Sequence, residues 1–117
     1  MVLRESGRLQ NKVFNIEAIM QPTLEVGVEG GGELLAFADA ILSADRNELN
    51  RARLALADVL GKAAVASASI IAADFSKNDR IANGLGIPIE PMELEPTADF
   101  REALGINQFR SAANSLS

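Results

Sequence analysis

Asp74, Ser76, Lys77, Asn78, Asp79 and Arg80 form the densest run of chemistry-bearing side chains in the 117-residue sequence. On a helix, Asp74 shares a face with Lys77 and Asn78 at i+3 and i+4, a spacing that makes an ion pair or a hydrogen bond without any ligand. Asp79 and Arg80 are adjacent and therefore point in different directions. Arg80 offers two chemistries: its planar fork can bind a ligand carboxylate bidentately, or it can tie its own helix to a neighbour through a partly buried ion pair. The structural role is the expected one, and Asp74, Asn78, Asp79 and Arg80 together are the candidate polar cluster, for ligand binding or for structure. No residue is assigned a catalytic role.

Much chemistry is excluded outright. The chain has no Cys, His, Trp or Tyr, which removes disulfides, thiol redox catalysis, Cys/His zinc sites and any nucleophile that relies on a histidine base. A peroxide must be attacked by a thiolate, and no other side chain here replaces one. Gly27, Gly30, Gly31 and Gly32 do not make G-x-G-x-x-G after a strand, and no Gly-Lys-Ser/Thr follows Gly32, so neither a dinucleotide nor a phosphate loop is present. Glu90, Glu93 and Glu95 lie about a proline segment without an EF-hand loop, so no metal site is assigned and no cofactor is expected.

The 11 Lys and Arg against 16 Asp and Glu leave a net charge of -5, which repels a phosphate backbone, so nucleic acid is not an expected partner. Arg46, Arg51 and Arg53 are interleaved with Asp45, Glu48 and Asp58 and predict a solvated helix rather than an anion-binding face. The first ten residues carry Arg4, Glu5 and Arg8 and no apolar run, so no secretory signal is read there. The uncharged run from Ala63 to Ala73 would rise only about 16 Å as a helix and cannot span a bilayer. No membrane association and a cytoplasmic location are the resulting expectations.

The elements that must position the polar cluster are helical. Leu9, Val13, Ile16 and Met20 predict a first helix that Pro22 ends. Gln21 to Gly32 reads as an extended connector closing in a glycine turn. Leu34, Leu35, Ala38, Ile41 and Leu42, widened by Phe37 and Ala40, predict a second helix over Glu33 to Leu42. Ser43 and Asp45 are caps for a third, whose Leu49, Ala52, Leu56, Val59 and Leu60 make a core face before Gly61 stops it. The fourth, Lys62 to Asn83, sets Ala64, Ala68, Ala72 and Phe75 near one line with Val65, Ile71 and Ile81 beside it. Its first half is nearly all small residues, which lets another helix approach closely, inside the monomer or across a subunit interface. Pro88, Pro91 and Pro96 then predict an extended strap, Thr97 a cap for a short helix closed by Gly105, and Ile106 to Ser117 an arm or tail.

Leu34 to Pro91 resembles the C-terminal half of the alkyl hydroperoxidase D-like, or carboxymuconolactone decarboxylase-like, superfamily. The carriers are LLAFADAIL and the Ala-rich helix ending in ADFSKNDRIANGLGIPIEP, in which Phe75, Arg80, Ile81, Ala82, Leu85, Gly86 and Ile87 match the family pattern and Asp79 stands where Asn is usual. The resemblance implies an all-helical protomer that works as an oligomer, with peroxidase or decarboxylase relatives. The Cys-x-x-Cys pair and histidine relay of the peroxidase branch have no counterpart in this chain, and the region before Leu34 is too short for the helices that carry them.

The sequence therefore predicts an all-α, single-domain protein of residues 1–117: a core over 34–91, an N-terminal helix and connector over 1–33, and a proline-rich strap, short helix and tail over 92–117. The expected function is a non-catalytic helical interaction module that forms a homo-oligomer. The alternative is a small-molecule binding protein or cofactor-independent enzyme of the carboxymuconolactone decarboxylase-like type, acting on a carboxylate ligand through Arg80 with Asp79 or Glu33.

Overall fold

Apolar residues at helical spacing, punctuated by caps and glycines, produce helices α1 (Val2–Leu9), α2 (Gly31–Leu42), α3 (Arg46–Leu60), α4 (Lys62–Leu85), α5 (Pro91–Leu94), α6 (Ala98–Ala103) and α7 (Ala113–Leu116). The computed structural model describes residues Val2 to Leu116, and no strand occurs among them. The all-α expectation holds. None of these helices is long and apolar enough to cross a membrane.

Helices α2, α3 and α4 pack pairwise on one another. Their shared core is Phe37 and Ala40 of α2 with Ala52 and Leu56 of α3, flanked by Leu34, Ile41, Leu49, Leu60, Val65 and Ala68. The buried face of α2 is turned from the expected one, with Phe37 and Ala40 central and Leu42 69% exposed. Leu34, Phe37 and Ile41 are spaced i, i+3, i+7, so they form the stripe that meets α3 and α4 while Leu42 falls outside it. Val59, expected in the core face of α3, is 46% exposed, because the row Ala52, Leu56, Leu60 occupies the contact.

The joints explain the tight α2–α3–α4 connection. The Asp45 carboxylate accepts from the backbone N–H groups of Asn47 and Glu48 at 2.8 and 3.1 Å, satisfying two donors that the first turn of α3 leaves open. Ser43 works one step earlier: its hydroxyl donates to the Ala40 carbonyl and accepts from the Asp45 N–H. Gly61, with φ of 89°, is the single residue between α3 and α4.

Several expectations are corrected. The helix expected over Leu9 to Met20 does not form. Asn11 adopts a left-handed φ of 53°, and the N–H groups of Asn11 and Lys12 close back on the carbonyls of Arg8 and Gly7, a C-terminal cap that ends α1. Only a 3₁₀ turn over Ile16–Ile19 follows, started by the Asn15 side chain accepting from the Glu17 N–H. Without a continuous helix the stripe has no common face, and Leu9 and Val13 are more than four-fifths exposed.

The glycine run is not a free turn. Gly31 and Gly32 form the first turn of α2, behind Gly30 at φ 64°. A Cβ at Gly30 would lie 2.7 Å from the Leu60 side chain, and one at Gly31 would lie 2.9 Å from Val26, so these glycines let the start of α2 approach α3 and the connector.

At its far end, α4 continues through Gly84 to Leu85. Gly86 then turns left-handed at φ 66°, and Gly86 and Ile87 donate back to Asn83 and Ala82. The proline strap is interrupted at once, because Pro91 fits the first position of α5, where no N–H is needed. Thr97 does not cap α6 with its side chain. Its hydroxyl instead donates to the Glu93 carbonyl at 2.5 Å and accepts from the Arg101 Nε at 3.0 Å. The tail is a series of 3₁₀ turns over Ile106–Gln108 and Arg110–Ala112 leading into α7, tied to the strap where the Ile89 N–H donates to the Ser115 hydroxyl at 2.8 Å.

Candidate functional site

Helix α4 carries all four residues of the candidate polar cluster, and it keeps Asp74 and Asn78 on one face while turning Asp79 and Arg80 to others. Asp74 pairs with Lys77 as expected, with Nζ to Oδ1 at 2.7 Å and both side chains more than half exposed. A pair of this kind on an open helix surface contributes at most about 1 kcal/mol. Asn78 is exposed and joins Asp74 through no hydrogen bond among the described residues. Asp79 and Arg80, being neighbours, open onto different hollows.

Arg80 stands on the rim of a shallow groove of about 570 Å³ whose floor is Ile41 and Leu42 from α2 with Ala72, Ala73 and Ile81 from α4, while Ser76 and Lys77 complete its polar side. The partly buried ion pair expected of Arg80 is not formed. Its side chain is exposed and makes no ion pair with a described residue, and the nearest part of α2 offers it the apolar residues Ile41 and Leu42 rather than a carboxylate. Glu33, considered as a partner, sits in the first turn of α2 at the opposite end of that helix. The groove can accept an apolar tail with a carboxylate at the cationic edge, but it is open and holds no buried polar group.

Asp79 faces a second cleft of about 400 Å³, bounded by Asn83 and Ile87 at the end of α4 and by Arg101, Asn107 and residues of the tail. The side chain that organises this region is Arg101, which sequence reasoning did not single out. Its Nη1 donates to Asn107 Oδ1 at 2.8 Å and its Nη2 to the Leu94 carbonyl at 2.5 Å, in addition to the Nε bond to Thr97. Thr97 itself is 6% exposed and is the buried polar centre of the C-terminal elements. The i, i+4 spacing of Thr97 and Arg101 is the one signal in the sequence that points to this network. Because Leu94, Thr97 and Asn107 converge on one guanidinium, each of whose three nitrogens donates a hydrogen bond, the cleft is a structural junction.

Among the described residues no group of three or more Asp or Glu is placed to hold a metal ion. The carboxyl of Asp45 is held below the usual carboxylate range by the backbone N–H groups of Glu48 and Asn47, aided by Arg51, with burial opposing weakly. That shift belongs to a helix cap and marks no reactive group.

The largest anomaly is surface. Helix α4 has no buried residue over its 24 positions. Ile70, Ile71 and Phe75 are 70%, 58% and 65% exposed, and Ile81 and Leu85 are more than half exposed. The chain exposes 8872 Å² in all, whereas a folded monomer of 12.4 kDa exposes about 6,100 Å². Its radius of gyration of 15.8 Å likewise exceeds the value of about 13.4 Å for a compact chain of this length. Compared with known proteins, the chain matches no family model, no curated protein and no solved structure.

Proposed function

We propose that this protein is a non-catalytic helical module that acts by self-association, related to the alkyl hydroperoxidase D-like fold and resident in the cytoplasm. The observation that carries the proposal is the surplus of accessible surface: 8872 Å² against about 6,100 Å² for a compact monomer. Only five hydrophobic residues among those described are buried: Ala18, Phe37, Ala40, Ala52 and Leu56. So small a core is insufficient to offset the chain entropy of a domain this long, and burial of further apolar surface against another copy supplies what is missing. Kinship with the alkyl hydroperoxidase D-like superfamily rests on the sequence pattern from Leu34 to Pro91, with which an all-helical architecture is compatible. Sedimentation velocity between about 5 and 100 µM tests the reading: a species larger than the 12.4 kDa protomer supports it, and a monomer throughout that range overturns it.

A second reading has its own observation, the apolar groove with Lys77 and Arg80 at one edge and Arg80 without a carboxylate partner among the described residues. On that reading the groove takes an amphipathic carboxylate, as a binding protein or as a cofactor-independent enzyme of the carboxymuconolactone decarboxylase-like type. Calorimetric titration with octanoate decides it: saturable binding lost in Arg80→Ala supports the reading, and no heat, or binding unchanged in Arg80→Ala, removes it.

A further inference from the structure

Between Lys62 and Asp74 helix α4 has no charged residue on any of its faces, through eleven consecutive positions. A helix apolar all round is a helix meant to be covered on more than one side. In this chain α2 and α3 cover one side only, through Val65 and Ala68, and leave Ile70, Ile71 and Phe75 in solvent. Among the exposed positions of α4 from Ala63 to Phe75, which include Asp74, size is segregated: Ala63, Ala66 and Ser67 occupy the N-terminal half, and Ile70, Ile71 and Phe75 the C-terminal half.

This segregation makes the face complementary to itself. An isologous contact requires that if residue i of one copy meets residue j of the other, j also meets i. Ile71 and Ser67, and likewise Phe75 and Ala63, are placed symmetrically about Ser69 in the sequence. Two copies of α4 crossing antiparallel about a two-fold axis level with Ser69 therefore set Ile71 over Ser67 and Phe75 over Ala63, in both directions at once. Parallel pairing would instead stack large on large and small on small, leaving a gap at one end and a clash at the other.

Resting on the self-association reading above, we infer that the exposed face of α4 from Ala63 to Phe75 is the docking surface for α4 of a second copy, in an antiparallel, two-fold symmetric contact. The area agrees with a second copy as occupant. Each chain has a surplus of about 2,700 Å², and an obligate homodimer covers about 1,000 to 2,500 Å² on each partner. The small side chains let the two helices approach to the short end of the usual range, about 8 Å between axes.

The test exploits the absence of cysteine from the chain. Ser67→Cys and Ile71→Cys single variants, one carrying a mass tag, are co-expressed and oxidised. The antiparallel contact predicts that the mixed disulfide between the two variants exceeds the self-disulfide of either by about tenfold, since only the mixed pair brings Cβ atoms within the roughly 3.5–4.5 Å a disulfide needs. Ile71→Asp and Phe75→Asp, both at exposed positions that leave the α2–α3 core intact, should each raise the dissociation constant by about a hundredfold or more, while Met92→Asp on α5 should leave it unchanged. Dominant self-disulfides overturn the antiparallel geometry. Wild-type oligomers with neither cross-link, or with association indifferent to Ile71→Asp and Phe75→Asp, overturn this face while leaving self-association standing. A monomeric wild type overturns both.

Discussion

Leu56 is the largest side chain that the described fold removes wholly from solvent, whereas Leu54, two residues earlier on the same helix, is 70% exposed. Truncating each to alanine deletes the same atoms from opposite environments. At Leu56 the transfer loss alone is about 2.4 kcal/mol at roughly 0.8 kcal/mol per methylene-sized group. The cavity left between Phe37, Ala40 and Ala52 brings the total to about 2–5 kcal/mol. A 117-residue chain unfolds with an entropy of about 0.25 kcal/mol/K, so Leu56→Ala should lower Tm by roughly 8–20 °C. Leu54→Ala should move it by no more than about 2 °C, as befits a surface change. The assay is helical circular dichroism against temperature at one fixed protein concentration, because association makes Tm concentration-dependent. A fall below about 4 °C for Leu56→Ala would refute the claim that Phe37, Ala40, Ala52 and Leu56 are the centre of the core. An equal fall for Leu54→Ala would refute the assignment of the buried face of α3.

Arg101→Ala should release the C-terminal elements without unfolding the three-helix core: loss of its charge-assisted bonds, worth about 1.5–3 kcal/mol, predicts amide exchange about ten- to a hundredfold faster over residues 91–112. Arg101→Lys should restore only part of that protection, and unchanged exchange in Arg101→Ala would remove Arg101 as the organiser. Arg80→Ala should leave Tm within about 2 °C of wild type, since the side chain is exposed and forms no ion pair with a described residue, and a fall of many degrees would show a partner for its guanidinium. For Asp45, a folded value below the ordinary 3.8 means that its stabilising contribution is fully present above that value and is lost as pH falls through the lower, folded one. Asp45→Asn should keep the cap at neutral pH yet flatten the acid dependence of Tm, and identical acid profiles for the two proteins would contradict the capping geometry.

The polar cluster of α4 was legible as residues but not as a site. Spacing alone gives the Asp74–Lys77 pair, because i, i+3 proximity is a property of any helix. It cannot place a partner for Arg80, which depends on what α2 presents across the groove, and α2 presents Ile41 and Leu42. The Arg101 junction went unseen for the same reason, since two of its three partner residues are reached only when the strap folds back: Leu94 O lies before α6 and Asn107 after it. The helix expected over Leu9 to Met20 failed on a local cause, Asn11 closing α1 by a left-handed turn, a signal weaker in sequence than the apolar stripe that overrode it.

Local chemistry was thus determined by the sequence itself. The all-α class, the cap at Asp45, the stop at Gly61, and the exclusion of thiol and histidine chemistry follow from residue types and from periods that hold in any environment. Which face of each amphipathic helix is buried was decided only by tertiary packing. The apolar residues of α2 and α4 exceed what one neighbour can cover, so periodicity admits several choices of inward face. Contact with α3 selects Phe37 over Leu42, and Val65 and Ala68 over Ile70 and Phe75. The apolar surface left over follows from that selection, because a single bundle contact covers one stripe of a helix and α4 carries apolar residues all the way round.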